Sequence, residues 1–218
     1  MGGCAEFTGP KSAFVSTGYE ANKLPRLLFL SLDSGRGEAK DTERLPLAVR
    51  QQNEDDRDTL SLHKHKHWYR THELAWYILK IYKPDLRVED AKHFFAHANS
   101  AKCCMNKNQK KKADRILFKN CQEYLGEEIS ILDPKIIVSQ GNEAKFGIEK
   151  FKERSIKSFD QFAQIIELNG KPIFWLHTYH PNNWGAFNRQ RNFDKLKNEA
   201  TGWVHYANLI HSFIKDHC

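Results

Sequence analysis

The chain has 218 residues, of which 40% are hydrophobic, 12% aromatic and 28% charged, a composition that excludes disorder, collagen and coiled coil as descriptions of the whole chain. Its 34 Lys and Arg stand against 27 Asp and Glu, a formal charge of +7, which favours a polyanionic partner without naming one. No run approaches the roughly 18 apolar residues of a membrane helix and no signal-peptide layout opens the chain, so a cytoplasmic monomer with one domain over residues 1–218 is expected. The five cysteines are an odd number without an export signal, which points to free thiols or metal ligation rather than a disulfide framework.

In chain order, Leu27 to Leu32 is the first short apolar run and reads as a buried parallel strand. Gly35 to Leu62 is polar, carries QQNEDDRD, and reads as a surface excursion. The alternating His63, His65 and His67 read as a solvated, partly cationic loop rather than a transition-metal site, because a loop gives such histidines no fixed geometry. Helical spacing over Trp68 to Tyr82 leads to a second strand, His93 to Ala98, and then to an exposed basic run, Lys107 to Lys112. A helix over Ala113 to Leu132, a strand over Ile136 to Ser139, a helix over Glu143 to Lys150, a strand over Ile173 to His177 and a closing helix over Phe193 to Ile214 complete the pattern. Strands alternating with helices predict an α/β fold, a three-layer α/β/α sandwich around a central, mostly parallel four-stranded sheet.

In such sheets ligands bind beyond the carboxyl ends of the strands. The residues there are Ser31-Leu32-Asp33-Ser34-Gly35, Asn99-Ser100-Ala101-Lys102-Cys103 and Thr178-Tyr179-His180-Pro181-Asn182-Asn183-Trp184. A carboxylate, an amide and an imidazole are thereby expected on one rim. Taken singly, Asp33 and Asn99 also read as cap or turn residues and His180 as a partly buried histidine beside a proline turn. Trp184 and Phe187, in the loop that ends at Arg189, have the bulk of a wedge and read equally well as aromatics packed on the closing helix.

The loop with Asp33, the segment Asn99 to Cys103, Cys121 leading into Ile129 to Gly141 (ISILDPKIIVSQG) and Ala144, and the His180-Pro181 turn together resemble the uracil-DNA glycosylase superfamily. The resemblance is nearest to the iron-sulfur branch and runs from about Cys4 to Arg191. The first motif departs from that branch, where Gly-Glu-Ala-Pro-Gly is usual and Ser31-Leu32-Asp33-Ser34-Gly35 keeps only the last glycine. Asp33 instead falls where the branch typified by Gly-Gln-Asp-Pro-Tyr carries its water-activating Asp. Arg44-Leu45-Pro46-Leu47 stands where a Pro-Phe is usual.

The resemblance implies hydrolysis of the N-glycosidic bond of uracil or another deaminated base flipped out of DNA. In that reading Asp33 orients a water near C1' of the sugar, Asn99 reads the base edge, His180 donates to the O2 oxygen of the departing base, and Ser34 and Gly35 approach a phosphate or the base. Lys102 and Arg189 hold phosphates, and Trp184 or Phe187 fills the vacated stack. It also implies a structural four-iron, four-sulfur cluster on Cys103 and Cys121, which have 17 residues between them, and no catalytic metal. Such a cluster takes four thiolates and the family supplies a close pair near the amino terminus, where only Cys4 stands. An upstream cysteine, Cys104 as fourth ligand, or an incomplete or lost cluster are the options. Two other functions are compatible with the sequence: a catalytically weak module that binds abnormal or single-stranded DNA, and a metal-dependent nuclease using the histidine cluster.

Overall fold

Four apolar runs make the middle of the sheet, and polar or amphipathic segments make its edges. The computed structural model describes residues 13–32, 46–58, 66–102, 115–181 and 199–217. Its strands are β1 (Phe14–Val15), β2 (Leu27–Ser31), β3 (Phe95–Asn99), β4 (Ile136–Gln140), β5 (Arg154–Ser158), β6 (Ala163–Leu168) and β7 (Lys171–Thr178). The helices are α1 (Thr17–Glu20), α2 (Pro46–Asp58), α3 (Lys66–Leu79), α4 (Arg115–Asn120), α5 (Gln122–Leu132), α6 (Asn142–Phe151) and α7 (Glu199–His217).

The strands lie in the order β1-β3-β2-β4-β7-β6-β5. The four expected strands are the parallel centre, β3-β2-β4-β7. The expectation of a four-stranded sheet is corrected to seven, because antiparallel strands extend both sides. On one side β6 and β7 form a hairpin whose turn is Asn169-Gly170, both with positive φ (53° and 68°), the backbone that a two-residue turn between twisted strands requires. On the other, β1 pairs with β3 through Phe14 and Val15.

Alternation along the strands separates two apolar layers. Leu27, Phe29, Phe95, Val138, Phe174 and Leu176 face α3 and α7, packing with Leu74, Ile78, Trp203, Tyr206 and Ile210. Leu28, Leu30, Ala96, Ile137 and Trp175 face α5 and α6, packing with Leu125, Ile129, Ala144 and Ile148. The three-layer α/β/α arrangement therefore stands. Gly35 to Leu62 is not wholly irregular, since Pro46–Asp58 is helical. That helix is held at the sheet edge by Lys92 to Asp58 (3.1 Å) and by the Arg57 guanidinium over the Phe14 ring (3.7 Å). The helix expected over Ala113 to Leu132 is broken in two at Cys121. None of the described helices is long and apolar enough to cross a membrane.

Two turns place the strand ends. Asp133, in the left-handed region at φ 45°, closes α5 ahead of Pro134 and sends the chain into β4. Gly141, at φ 102°, lets the chain leave β4 for α6 directly after Gln140. A Cβ there would also lie 3.0 Å from the Leu32 side chain, so both backbone and space call for glycine.

Each face of the sheet buries a histidine, one on α3 and one on β7. His72 on α3 lies edge-on to Phe95 (5.4 Å) with neither ring nitrogen hydrogen-bonded among the described residues. Burial, helped by Lys92 and Arg57, lowers its pKa to about 3. His177 is held by Ser139, whose hydroxyl accepts from Trp175 Nε1 (2.9 Å) and lies 3.2 Å from His177 Nδ1. Burial, with Lys145 nearby, lowers its pKa to about 4.

Both imidazoles fold neutral, whereas in the unfolded chain they take up protons below the ordinary value of 6.5. Proton uptake thus favours unfolding, and stability falls as pH drops from about 6.5 towards about 4, by at most about 1.4 kcal/mol per pH unit for each histidine. Urea midpoints measured at about pH 7 and about pH 4.5 check this. His72→Leu is expected to shrink the difference between them.

Candidate active site

The row of residues at the carboxyl ends of the parallel strands is polar and buried: Asn99 on β3, Ser31 on β2, Gln140 on β4 and Thr178 on β7. By alternation these share the α3 side of the sheet with Phe95, Phe29, Val138 and Leu176. Such groups are costly to bury without partners, on the order of 1–3 kcal/mol each, and partners come from the strands themselves and from α3. Its first turn brings His67 and Thr71, four residues apart on one face, down onto the strand ends.

The hydrogen bonds there have one consistent direction. Thr71 Oγ1 donates to the His67 carbonyl (2.9 Å), so it accepts from Gln140 Nε2 (3.1 Å). Gln140 Oε1 accepts from the Ser31 hydroxyl (2.8 Å). With its one proton so used, Ser31 Oγ accepts from His97 Nε2 (2.8 Å), which fixes the proton of the His97 ring on that nitrogen. The chain runs from β3 through β2 and β4 into the first turn of α3.

Rings lie over this chain. His67 Nε2 is 3.5 Å from Ser31 Oγ, and the His67 ring stands edge-on to Trp68 (5.3 Å) and to His97 (6.0 Å). It also meets His180 at 5.1 Å between centroids and a tilt of 31°. His180 is partly buried, and that burial lowers its pKa below the ordinary imidazole value, which keeps the ring neutral near pH 7.

Asn99 is the exception to the satisfied row. It is 4% exposed, and its Nδ2 has no hydrogen-bond partner among the described residues. Asn99 ends β3 two residues after His97, whose ring meets His67, which in turn meets His180, and the Asn99 amide donor is uncommitted among the described residues. Such a site can accept a ligand that offers a carbonyl to the amide and places a second developing charge near the imidazole.

The other expected residues fall differently. Asp33, Ser34, Gly35, Trp184, Phe187, Arg189, Cys4, Cys103 and Cys104 lie outside the described residues, as do His63, His65 and Lys107 to Lys112. His67 is not in a solvated loop, since it belongs to α3 and packs into the rim. Lys102 is not presented outward: its ammonium pairs with Glu128 of α5, with 12% and 17% of the two side chains exposed. Glu128 also accepts from the Ala13 amide (2.9 Å), so this pair ties the approach to β1 to the end of β3. Cys121 is buried between α4 and α5, and its sulfur accepts from the Lys102 amide (3.3 Å). It fits one thiolate ligand of a cluster, since N–H donation to sulfur is among the interactions that tune such centres. No group of three or more His, Cys, Asp or Glu among the described residues is arranged to hold a metal ion.

Sequence reasoning did not single out Ser31, His67, Thr71, His97 or Gln140 as a network. The available signal was polar residues ending apolar strands, in LLFLS, FAHAN and IIVSQ. Among known families, the model described as the Uracil DNA glycosylase superfamily matches residues 19–202, a span that contains the whole rim. No curated protein matches the chain.

Replacing Lys102 by Met leaves the Glu128 carboxylate largely buried without its cation, and the expected loss is about 3 kcal/mol of folding stability. Urea unfolding measures it. The salt dependence of DNA binding is expected to keep its slope in the same variant, because a lysine paired inside the fold releases no counterion from DNA.

Proposed function

The chain belongs to the uracil DNA glycosylase superfamily, and from that premise we propose that it is a DNA glycosylase that hydrolyses the N-glycosidic bond of uracil or another deaminated base. The observation that supports this reading is the amide donor of Asn99, buried and without a hydrogen-bond partner among the described residues, at the end of the strand whose His97 reaches His180 through the His67 ring. The basic balance of the chain suits a DNA partner.

Breaking the bond leaves positive charge on the sugar and negative charge on the departing base. Asn99 Nδ2 donates to a carbonyl at the edge of the extruded base, while the amide oxygen accepts from the neighbouring ring N–H. Paired contacts of this kind supply about 1–3 kcal/mol of discrimination. His180, kept neutral by burial, donates an N–H to the O2 oxygen as charge gathers there, a role worth about 2.7–4 kcal/mol in comparable sites. Asp33, the second residue after β2, orients the attacking water and offsets charge on the sugar. Trp184 or Phe187 fills the gap in the stack, and Arg189 holds a phosphate.

The proposal includes a four-iron cluster held by Cys121 with Cys103, Cys4 and Cys104 as the remaining candidates. It is supported by the buried Cys121 thiol and its N–H···S contact. When bound, it serves as a structural staple and takes no part in the hydrolysis. Anaerobically purified protein is expected to be brown, to contain iron and sulfide and to lose both in Cys121→Ser. Colourless, iron-free protein removes the cluster.

The enzyme reading is tested with a fluorescent oligonucleotide carrying one uracil, scored for alkali-sensitive strand breakage. Asn99→Ala is expected to lower kcat/KM by about 10- to 100-fold without lowering Tm, because the variant removes a buried donor that folding leaves unpaired. His180→Ala is expected to cost about 100- to 1000-fold in kcat. Retarded migration with no abasic product from any deaminated base would instead favour the DNA-binding module.

A further inference from the structure

The glycosylase reading uses Asn99 and His180 and leaves unexplained why a second imidazole, His67, is packed against His180. His67 lies against His180 in a tilted ring contact, 5.1 Å between centroids at 31°, and four further contacts hold His67 itself. Trp68 and His97 stand edge-on to it, Ser31 Oγ lies 3.5 Å from its Nε2, and its carbonyl accepts from Thr71. The directed chain His97–Ser31–Gln140–Thr71 ends on that carbonyl. Every strand of the parallel centre except β7 thus contributes to placing one imidazole, and that imidazole meets the residue that follows β7.

We infer that His67 is the positioning residue for His180: its ring face sets the plane of the His180 ring and closes that face to water. The inference rests on the glycosylase reading for its consequence in catalysis, and on geometry alone for the contact. A histidine that donates along the edge of its ring is effective only when the ring plane contains the acceptor, and His180 sits in the loop beyond β7 with no strand pairing of its own. A flat neighbour packed against it supplies a restraint on the ring, as a site residue locked by packing requires. The second consequence is electrostatic. Burial is the cause that lowers the His180 pKa, and His67 contributes to that burial. The other titratable group facing the pair among the described residues is His97 on β3, and its proton is committed to Ser31.

The test compares ring-less variants, His67→Ala and His67→Gln, with His67→Phe, which keeps a flat face and removes both nitrogens. Two readouts are taken on the full chain: the His180 ring titration by heteronuclear NMR, and kcat and KM on the uracil oligonucleotide. In the ring-less variants the His180 titration is expected to move up towards the ordinary imidazole value. The acid limb of the rate profile is expected to follow it, and kcat to fall by about 10- to 100-fold with KM little changed. His67→Phe is expected to restore the low titration and most of kcat. A His180 titration unchanged in both ring-less variants, or a shift in His67→Phe as large as theirs, overturns the inference. If no probe base is released even by the wild type, the glycosylase reading falls while the titration still decides the role of His67. If one ring-less variant fails to fold, the other and His67→Phe make the same comparison.

Discussion

The hydrogen-bond chain from His97 through Ser31 and Gln140 to Thr71 and the His67 carbonyl is the constraint on which the rest of the site depends. A parallel sheet ending in polar side chains under a helix must pair those side chains or lose stability for each one left bare. Here the pairing is made across β3, β2 and β4 and finishes in the first turn of α3, so the same bonds that satisfy the strand ends also dock the helix. Docked in this register, α3 presents His67 to His180 and buries Leu74 and Ile78 on the apolar layer below. Packing and site geometry are therefore one arrangement.

Against that background the Nδ2 of Asn99, without a hydrogen-bond partner among the described residues, stands out. Its neighbours show that the fold can satisfy a buried polar group at this level of the sheet, and at Asn99 it does not. A donor kept dry and uncommitted at a strand end suits recognition of a carbonyl more than it suits stability. In the proposed glycosylase, His180, whose pKa burial lowers, is the second donor, offered where a departing base gathers electrons. The Lys102–Glu128 pair, by contrast, belongs to the framework and secures the approach to β1 through the Ala13 amide.

The four central strands were legible because strands buried on both faces are near-continuous apolar runs, and the layer order followed from their alternation with helices. The places of Asn99 at the end of β3 and His180 just beyond β7 were legible from the strand pattern, and the rule that ligands bind beyond the carboxyl ends of such strands made them candidates. The β6–β7 hairpin carried a signal that went unread, Asn169-Gly170 between two apolar runs. Strand β5, RSIKS, is exposed along its whole length and has no apolar period to find. Helix α2 is dominated by QQNEDDRD, whose polarity resembles a loop. The ring and hydroxyl network was hidden for a different reason: Ser31, His97 and Gln140 meet through strand register across more than sixty positions of sequence, which no local pattern encodes. The same holds for Lys102, whose partner Glu128 lies a helix away.

The central claim is that Asn99 and His180 serve one pocket that holds a nucleobase. It is tested most directly by titrating the protein with free uracil while following the Asn99 side-chain amide and the His180 ring by NMR. The account predicts that both signals shift along one binding curve, with the Asn99 amide protons moving downfield as their missing acceptor arrives. Signals that stay still at saturation of the titration, or that move with different apparent Kd values, would contradict it.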